Sequence, residues 1–309
     1  MNPEMNQGGD SMTNNQSNGN EYEKADQQVG PQSQQSQPGI ESEMKPEPIY
    51  DDPEYKGSGK LEGKVALITG GDSGIGRAVA VAFAKEGSDV AIAYLDDAED
   101  ADAEQTVRDI EKYGRRAMKI KTDISDEANC RSLLKQVADE LGGLNILVNN
   151  AGVQYPQKDI EAITSDQLKK TFETNFYGLF YLTRESMAYL KEGDCIINTS
   201  SVTAYNGSPG LLDYSSTKGA ITAFTRSFAQ NIANKGIRVN AVAPGPIWTP
   251  LIPATFDAGK VEQHGATTPM KRRGQPAELA PAYVLLASKD GSYLTGQTIH
   301  IDGGDFVTN

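Results

Sequence analysis

The sequence predicts an α/β fold: one domain on a doubly wound, seven-stranded parallel sheet with helices on both faces, preceded by a disordered N-terminal tail. Three observations carry that prediction. Seven short runs are apolar almost throughout, as strands covered on both faces must be. Amphipathic stretches of helical period separate them. The alternation is strict, and connections of that kind are right-handed crossovers between parallel strands.

Residues 1–44 are rich in Gln, Asn, Ser and Gly and too poor in apolar side chains to offset the entropy of ordering, so they are expected to stay solvated. Across 45–60 the character changes. Pro46, Pro48 and Pro53 stiffen the chain while Ile49, Tyr50 and Tyr55 offer something to bury, which fits either an extended linker or an arm docked on the body or a neighbouring subunit. Residues 61–309 suffice for one domain with a large core. Strands are expected at 65–69, 90–94, 117–121, 144–149, 196–200, 238–242 and 297–301, and helices at 74–85, 103–113, 128–141, 166–190, 214–234 and 277–287.

A formal charge of -13 with no compensating Lys/Arg cluster argues against nucleic acid and anionic membranes as partners. Cys130 and Cys195 are too few for a disulfide framework and suit a reducing compartment. There is no basic-then-apolar export signal and no apolar run long enough to span a bilayer, so a cytoplasmic location is expected. His264 and His300 stand apart with no ligand motif, and no metal is expected.

The first strand runs straight into Thr69-Gly70-Gly71-Asp72-Ser73-Gly74-Ile75-Gly76 and then into a helix. Without side chains, Gly70 and Gly74 let the backbone turn tightly and a pyrophosphate approach the helix N-terminus, and Gly76 lets helix and strand pack closely. With its TGxxxGxG spacing, the chain resembles the classical short-chain dehydrogenase/reductase family over residues 61–304, a Rossmann-type fold. Within that family it looks like bacterial members labelled glucose dehydrogenase-like or general stress oxidoreductases, on the run 243–253 and the long acidic tail. The resemblance implies that Asp72, Ser73 and Ile75 of the turn, Asn150, Ala151 and Gly152 after the fourth strand, and Asp123 and Ile124 after the third strand line a dinucleotide. Tyr94 stands where NAD-binding members carry an acid. Asp96 follows closely and could bind a free ribose; with no Arg or Lys nearby, the cofactor reads as NAD or NADP with a tilt to NAD.

Tyr214 and Lys218 open a long helix at i, i+4 spacing, which puts phenol and ammonium on one face. A free tyrosine titrates near pH 10, and bringing it to about 7 takes about 4 kcal/mol, which a neighbouring cation helps supply. By resemblance, Lys218 also binds the nicotinamide ribose, and Ser201 rather than Ser200 holds the substrate oxygen. Asn175 then completes a tetrad of Asn175, Ser201, Tyr214 and Lys218, holding a water that links the lysine to solvent. The resemblance implies that the loop 244–249 covers the nicotinamide, with Ile247 and Thr249 at its carboxamide and Pro244 and Gly245 also binding the cofactor, and 250–268 reads as a substrate lid.

Gln154, Tyr155, Val202, Tyr205, Leu211, Leu212 and Trp248 are candidates for a pocket taking a small neutral carbonyl or alcohol substrate. The expected activity is hydride transfer with Tyr214 as acid/base. The alternatives are a dinucleotide-sensing regulatory protein without turnover and non-redox chemistry on the same fold. The resemblance also implies a homotetramer through the helices at 166–190 and 214–234, where Phe172, Phe176, Phe180, Phe224 and Phe228 lie.

Overall fold

The computed structural model describes residues 20–307. Seven parallel strands pair in the order β3-β2-β1-β4-β5-β6-β7, with β1 at Val65–Thr69, β2 at Asp89–Tyr94, β3 at Ala117–Lys121, β4 at Ile146–Asn149, β5 at Cys195–Thr199, β6 at Arg238–Pro244 and β7 at Thr298–Ile301. Strands β1, β2, β4 and β5 are buried at every position, which is why each is so nearly free of charge. At one edge β3 carries Lys119 and Lys121, which blunt it against pairing with another chain. The strand order reverses between β1 and β4, and the crevice at that switch point, beyond the carboxyl ends of the strands, is where such sheets bind ligands.

Short α1 (Glu21–Asp26) precedes the sheet. One face is covered by α2 (Gly74–Lys85), α3 (Asp100–Glu111) and, further along the chain, α10 (Pro276–Ala287); the other by α4 (Glu127–Leu141), α6 (Gly178–Ser186) and α8 (Leu212–Ile232). Ala78, Ala80, Ala82 and Ala84 are all buried, and their small size lets α2 lie between the sheet and α10. Short α7 (Thr203–Asn206) and α9 (Ala258–Gln263) lie in the loops above β5 and β6.

The helix expected over 166–190 is interrupted. It consists of α5 (Ser165–Phe172), a π turn at Glu173–Tyr177, and α6. The side chain of Asn175 accepts a hydrogen bond from the Val153 amide at 2.8 Å and donates to the Val153 carbonyl at 2.9 Å, pinning the widened turn to the loop after β4.

The expectation that 1–44 stays solvated is corrected from Asn20 onward; residues 1–19 lie outside the described residues. Val29 and Met44 are buried with Trp248, Ile252 and Val261 in a small separate core. Glutamine amides do much of the remaining ordering. Gln34 donates to the Ile40 carbonyl at 2.7 Å and accepts from its amide at 2.8 Å, and Gln32 spans Lys45 in the same way. A polar composition that looked unable to fold is held instead by side chains replacing the backbone's water. Residues 45–60 are docked on the body: Ile49 exchanges hydrogen bonds with Ala277 and the Gln275 side chain, each at 2.9 Å, and Tyr50 donates to Asp109 at 2.9 Å. Among the described residues no helix is long and apolar enough to cross a membrane.

Candidate active site

A cavity of about 810 Å³ opens at the switch point, and most of the residues singled out in the sequence line it. Its floor at one end is the glycine turn. Gly70 and Gly74 have φ of +60° and +52°, in the left-handed region that side chains disfavour. A Cβ on Gly76 would fall 1.8 Å from the Gly70 carbonyl oxygen, so Gly76 lies behind the turn and shapes it rather than lining the cavity. The Asn150 side chain donates to the carbonyls of Thr69 and Gly70, at 3.2 and 3.1 Å, tying the loop after β4 to this turn. Asn149 points the other way, into the protein, donating to Thr183 and Asn198.

These residues fit a dinucleotide: a side-chain-free turn, a helix N-terminus and an elongated cavity lie together at the carboxyl edge of the sheet. Gly70, Asp72, Ser73, Gly74, Ile75, Tyr94, Asp123, Ile124, Asn150, Ala151 and Gly152 all face the cavity, as do Pro244, Gly245, Ile247 and Thr249 from the loop after β6.

Asp96 does not line the cavity. Its carboxylate caps the short turn Asp97–Glu99, accepting from the Ala98 amide at 2.9 Å. Of the acids just after β2, it is Glu99 that reaches the cavity, and its carboxylate also accepts from the Leu95 and Asp96 amides at 3.0 and 2.8 Å. The signal was present in the sequence, since Asp96 and Glu99 have capping-box spacing, which turns the first acid onto backbone. Burial raises the Asp72 carboxyl, and burial and then the charge of Asp72 push Glu99 up to about 8.

At the other end of the cavity stand the catalytic candidates. Lys218, almost fully buried, donates to the Thr199 carbonyl at 2.8 Å, and its Nζ lies 5.4 Å from the centre of the Tyr214 ring. Burial lowers the lysine to about 8 and pushes the phenol up to about 12, with Ser201 acting to lower the latter. Ser201 Oγ accepts from Thr203 N and Oγ1, both at 3.1 Å. Ser200 is turned into α8, bonding the Lys218 carbonyl at 3.1 Å and Thr222 at 2.9 Å. A Cβ on Gly152 would stand 3.4 Å from Asn175 Oδ1 and 3.7 Å from Lys218 Nζ, so the absence of that carbon keeps the space between them open.

One positioning residue was missed from sequence. Buried Asp213 accepts from the Tyr214 amide at 2.9 Å, from Gln167 at 3.0 Å and from Thr171 at 2.8 Å, fixing the first turn of α8 against α5.

Of the substrate-pocket candidates, Gln154, Tyr155, Val202 and Leu211 line the cavity. Tyr205, Trp248 and Leu212 do not. Tyr205 packs on His300 and Phe306, with ring centres 4.5 and 4.8 Å apart, and Leu212 is exposed. Trp248 is fully buried and donates its indole N–H to the Pro46 carbonyl at 2.9 Å, so its aromatic bulk plugs the small core under the arm. Gln37, Pro38 and Lys170 line the cavity without having been expected there, and Phe256 lines it from the segment expected as a lid. Among the described residues no cluster of His, Cys, Asp and Glu could hold a metal ion.

The family model described as Enoyl-(Acyl carrier protein) reductase matches residues 70–305. The chain is similar to the uncharacterized oxidoreductase YhdF of Bacillus subtilis (strain 168), 60% identical over 278 residues that cover 90% of this chain and 96% of that protein. It is 48% identical over 281 residues to NADPH-dependent aldehyde reductase 1, chloroplastic, of Arabidopsis thaliana, covering 89% of this chain and 98% of that protein. Among solved structures, a short chain dehydrogenase from Burkholderia cenocepacia J2315 in complex with NADP superposes with a TM-score of 0.74 at 32% identity, over 79% of this chain and 98% of that one.

Proposed function

Since the chain belongs to the short-chain dehydrogenase/reductase family, we propose that it is an NADP(H)-dependent oxidoreductase acting on a small neutral carbonyl or alcohol, with Tyr214 as its acid/base. The observation that carries this reading is the convergence of Tyr214, Ser201 and Lys218 on one end of a cavity whose other end is a glycine turn, with Asn175 behind Gly152 and outside the lining. When bound, the nicotinamide supplies or receives the hydride.

In reduction, Tyr214 hands its phenolic proton to the carbonyl oxygen, which Ser201 holds in place. Ser201 suits that task because Thr203 occupies its acceptor side, leaving its own O–H to be donated. Loss of the proton leaves a phenolate, which burial alone would oppose, and the ammonium of Lys218 counters that cost. Asn175 and the open space at Gly152 give Lys218 a route for recovering a proton through water.

The tilt to NAD finds no support. It leaned on the absence of a nearby Arg or Lys, with Asp96 offered for a free ribose; Asp96 is turned onto backbone, one similar protein is named NADPH-dependent and the similar solved structure holds NADP. An aldehyde is favoured as substrate by the same relative's name and by the largely uncharged lining from Gln154, Tyr155, Val202 and Leu211. A homotetramer is part of the proposal, through a face where Phe176, Phe180, Phe224 and Phe228 pack in a row, the last two stacked and the others tilted, and Phe180 and Tyr177 are exposed.

The test is consumption of NADPH and NADH against a panel of aldehydes, ketones and ketoses, with Tyr214→Phe as control. Turnover that needs Tyr214 supports the reading. Binding of both dinucleotides with no consumption in either direction would replace it with a sensor or a non-redox enzyme.

A further inference from the structure

The arm before β1 takes no part in the chemistry above, yet Gln37, Pro38 and Gly39 line the cavity, and residues 37–41 touch segments on both of its sides. Gln37 clasps Gln154 in the loop after β4, donating to its carbonyl at 2.6 Å and accepting from its amide at 3.2 Å. Gly39 lies so close to the lid that a Cβ there would fall 2.4 Å from the Pro250 carbonyl oxygen. Glu41 is buried, and its carboxylate accepts from the Gly74 amide at 2.6 Å and pairs with Arg77 at 2.7 Å. Arg77 in turn donates to the Asp72 carbonyl at 2.9 Å. The ion pair therefore grips the glycine turn at two points, the carbonyl of Asp72 and the amide of Gly74. The arm is itself held from α3, where Asp102 accepts from the Glu41 and Ser42 amides at 2.7 and 3.3 Å.

We propose that Glu41 is a positioning residue for dinucleotide binding, fixing the shape of the glycine turn through Gly74 and Arg77, and that Gln37 to Gly39 form a built wall of the same site. This inference rests on the reading of the cavity as a dinucleotide site. A turn that depends on glycines at positive φ is conformationally free in isolation, and ordering it on binding would be paid for out of affinity. Glu41 orders it beforehand. It takes one of the unpaired amides at the start of α2 and leaves the others to the ligand, and Arg77 offsets the negative charge that would otherwise repel a diphosphate.

The experiment measures the NADPH dissociation constant of the full chain by nicotinamide fluorescence, alongside thermal melting, for wild type, Glu41→Ala, Glu41→Gln, Gln37→Ala and Asp26→Ala. Asp26 pairs with Arg273 at the far end of the arm and controls for general loosening. Glu41→Ala is expected to raise the dissociation constant about tenfold or more, Glu41→Gln to recover part of that by keeping an acceptor for Gly74, and Asp26→Ala to lower the melting temperature with the constant unchanged. A folded Glu41→Ala that binds as tightly as wild type overturns the proposal, as does an equal loss in Asp26→Ala. If Glu41→Ala does not fold, wild-type affinity in both Glu41→Gln and Gln37→Ala overturns it. Wild-type protein that binds neither NADPH nor NADH fails the dinucleotide reading itself, a result visible before any variant is made.

Discussion

Asn175 holds Val153 by both of its main-chain polar groups, from the middle of a π turn. The turn is wider than a regular α-helical one, and Asn175 gives its side-chain amide to a loop 22 residues earlier in the chain. Helix and loop thus carry Gly152 and Asn175 to Lys218 as one unit.

Replacing Asn175 with Ala leaves the amide and carbonyl of Val153 without their partner. A cost of about 1–3 kcal/mol is expected, lowering the melting temperature by several degrees, together with reduced turnover. Differential scanning calorimetry and steady-state rates check both; a variant as stable as wild type would show that water takes over at Val153.

Tyr214→Phe removes one oxygen from the cavity and is expected to cut hydride transfer by roughly 10²–10⁴-fold or more, with dinucleotide affinity within about twofold. Single-turnover kinetics with NADPH in excess makes the measurement, and a variant retaining a tenth of wild-type rate would move the acid/base role elsewhere.

Burial, with Arg273 nearby, lowers His264 from 6.5 to about 4. Above pH 6.5 neither folded nor unfolded chain binds this proton. Between 6.5 and 4 the unfolded chain does and the folded chain does not, so stability falls as pH is lowered through that window. Glu41 acts in the opposite sense, its carboxyl being raised from 4.5 to about 7, so that stability falls as pH rises between those values. The informative quantity is the difference between wild type and His264→Gln in denaturant melts from pH 7 to pH 4. The gap should shift in favour of the variant as pH drops.

Removing residues 1–44 should lower the melting temperature, and removing 1–19 serves as its comparator. The longer deletion takes Val29 and Met44 out of the core they share with Trp248, Ile252 and Val261, at about 1.5–3 kcal/mol for each buried side chain. Identical melting of the two shortened chains would mean that the arm contributes nothing to stability.

Much of the site could be read in the sequence because its physics is local. An apolar run makes β1 a buried strand, the glycines mark where it turns, and i, i+4 spacing puts Tyr214 beside Lys218. What escaped was decided by distant partners. Asp96 lost its place to Glu99 through a cap, Trp248 became a plug because the arm covers it, and the π turn at Asn175 exists because Val153 is there to be held. The arm was misread because glutamine amides, clasping Ile40, Lys45 and Gln154, replace the apolar contacts whose scarcity signalled disorder.

The arm's partners also set a timetable. Pro46 waits for Trp248, 202 residues later, Ile49 for Gln275, 226 later, and Asp26 for Arg273, 247 later. A chain emerging from the ribosome exposes this segment to water until nearly the whole domain has been made. Its glutamines and acids give it little sticky surface during that wait, so a composition that resembles permanent disorder suits a segment that is synthesised first and seated last.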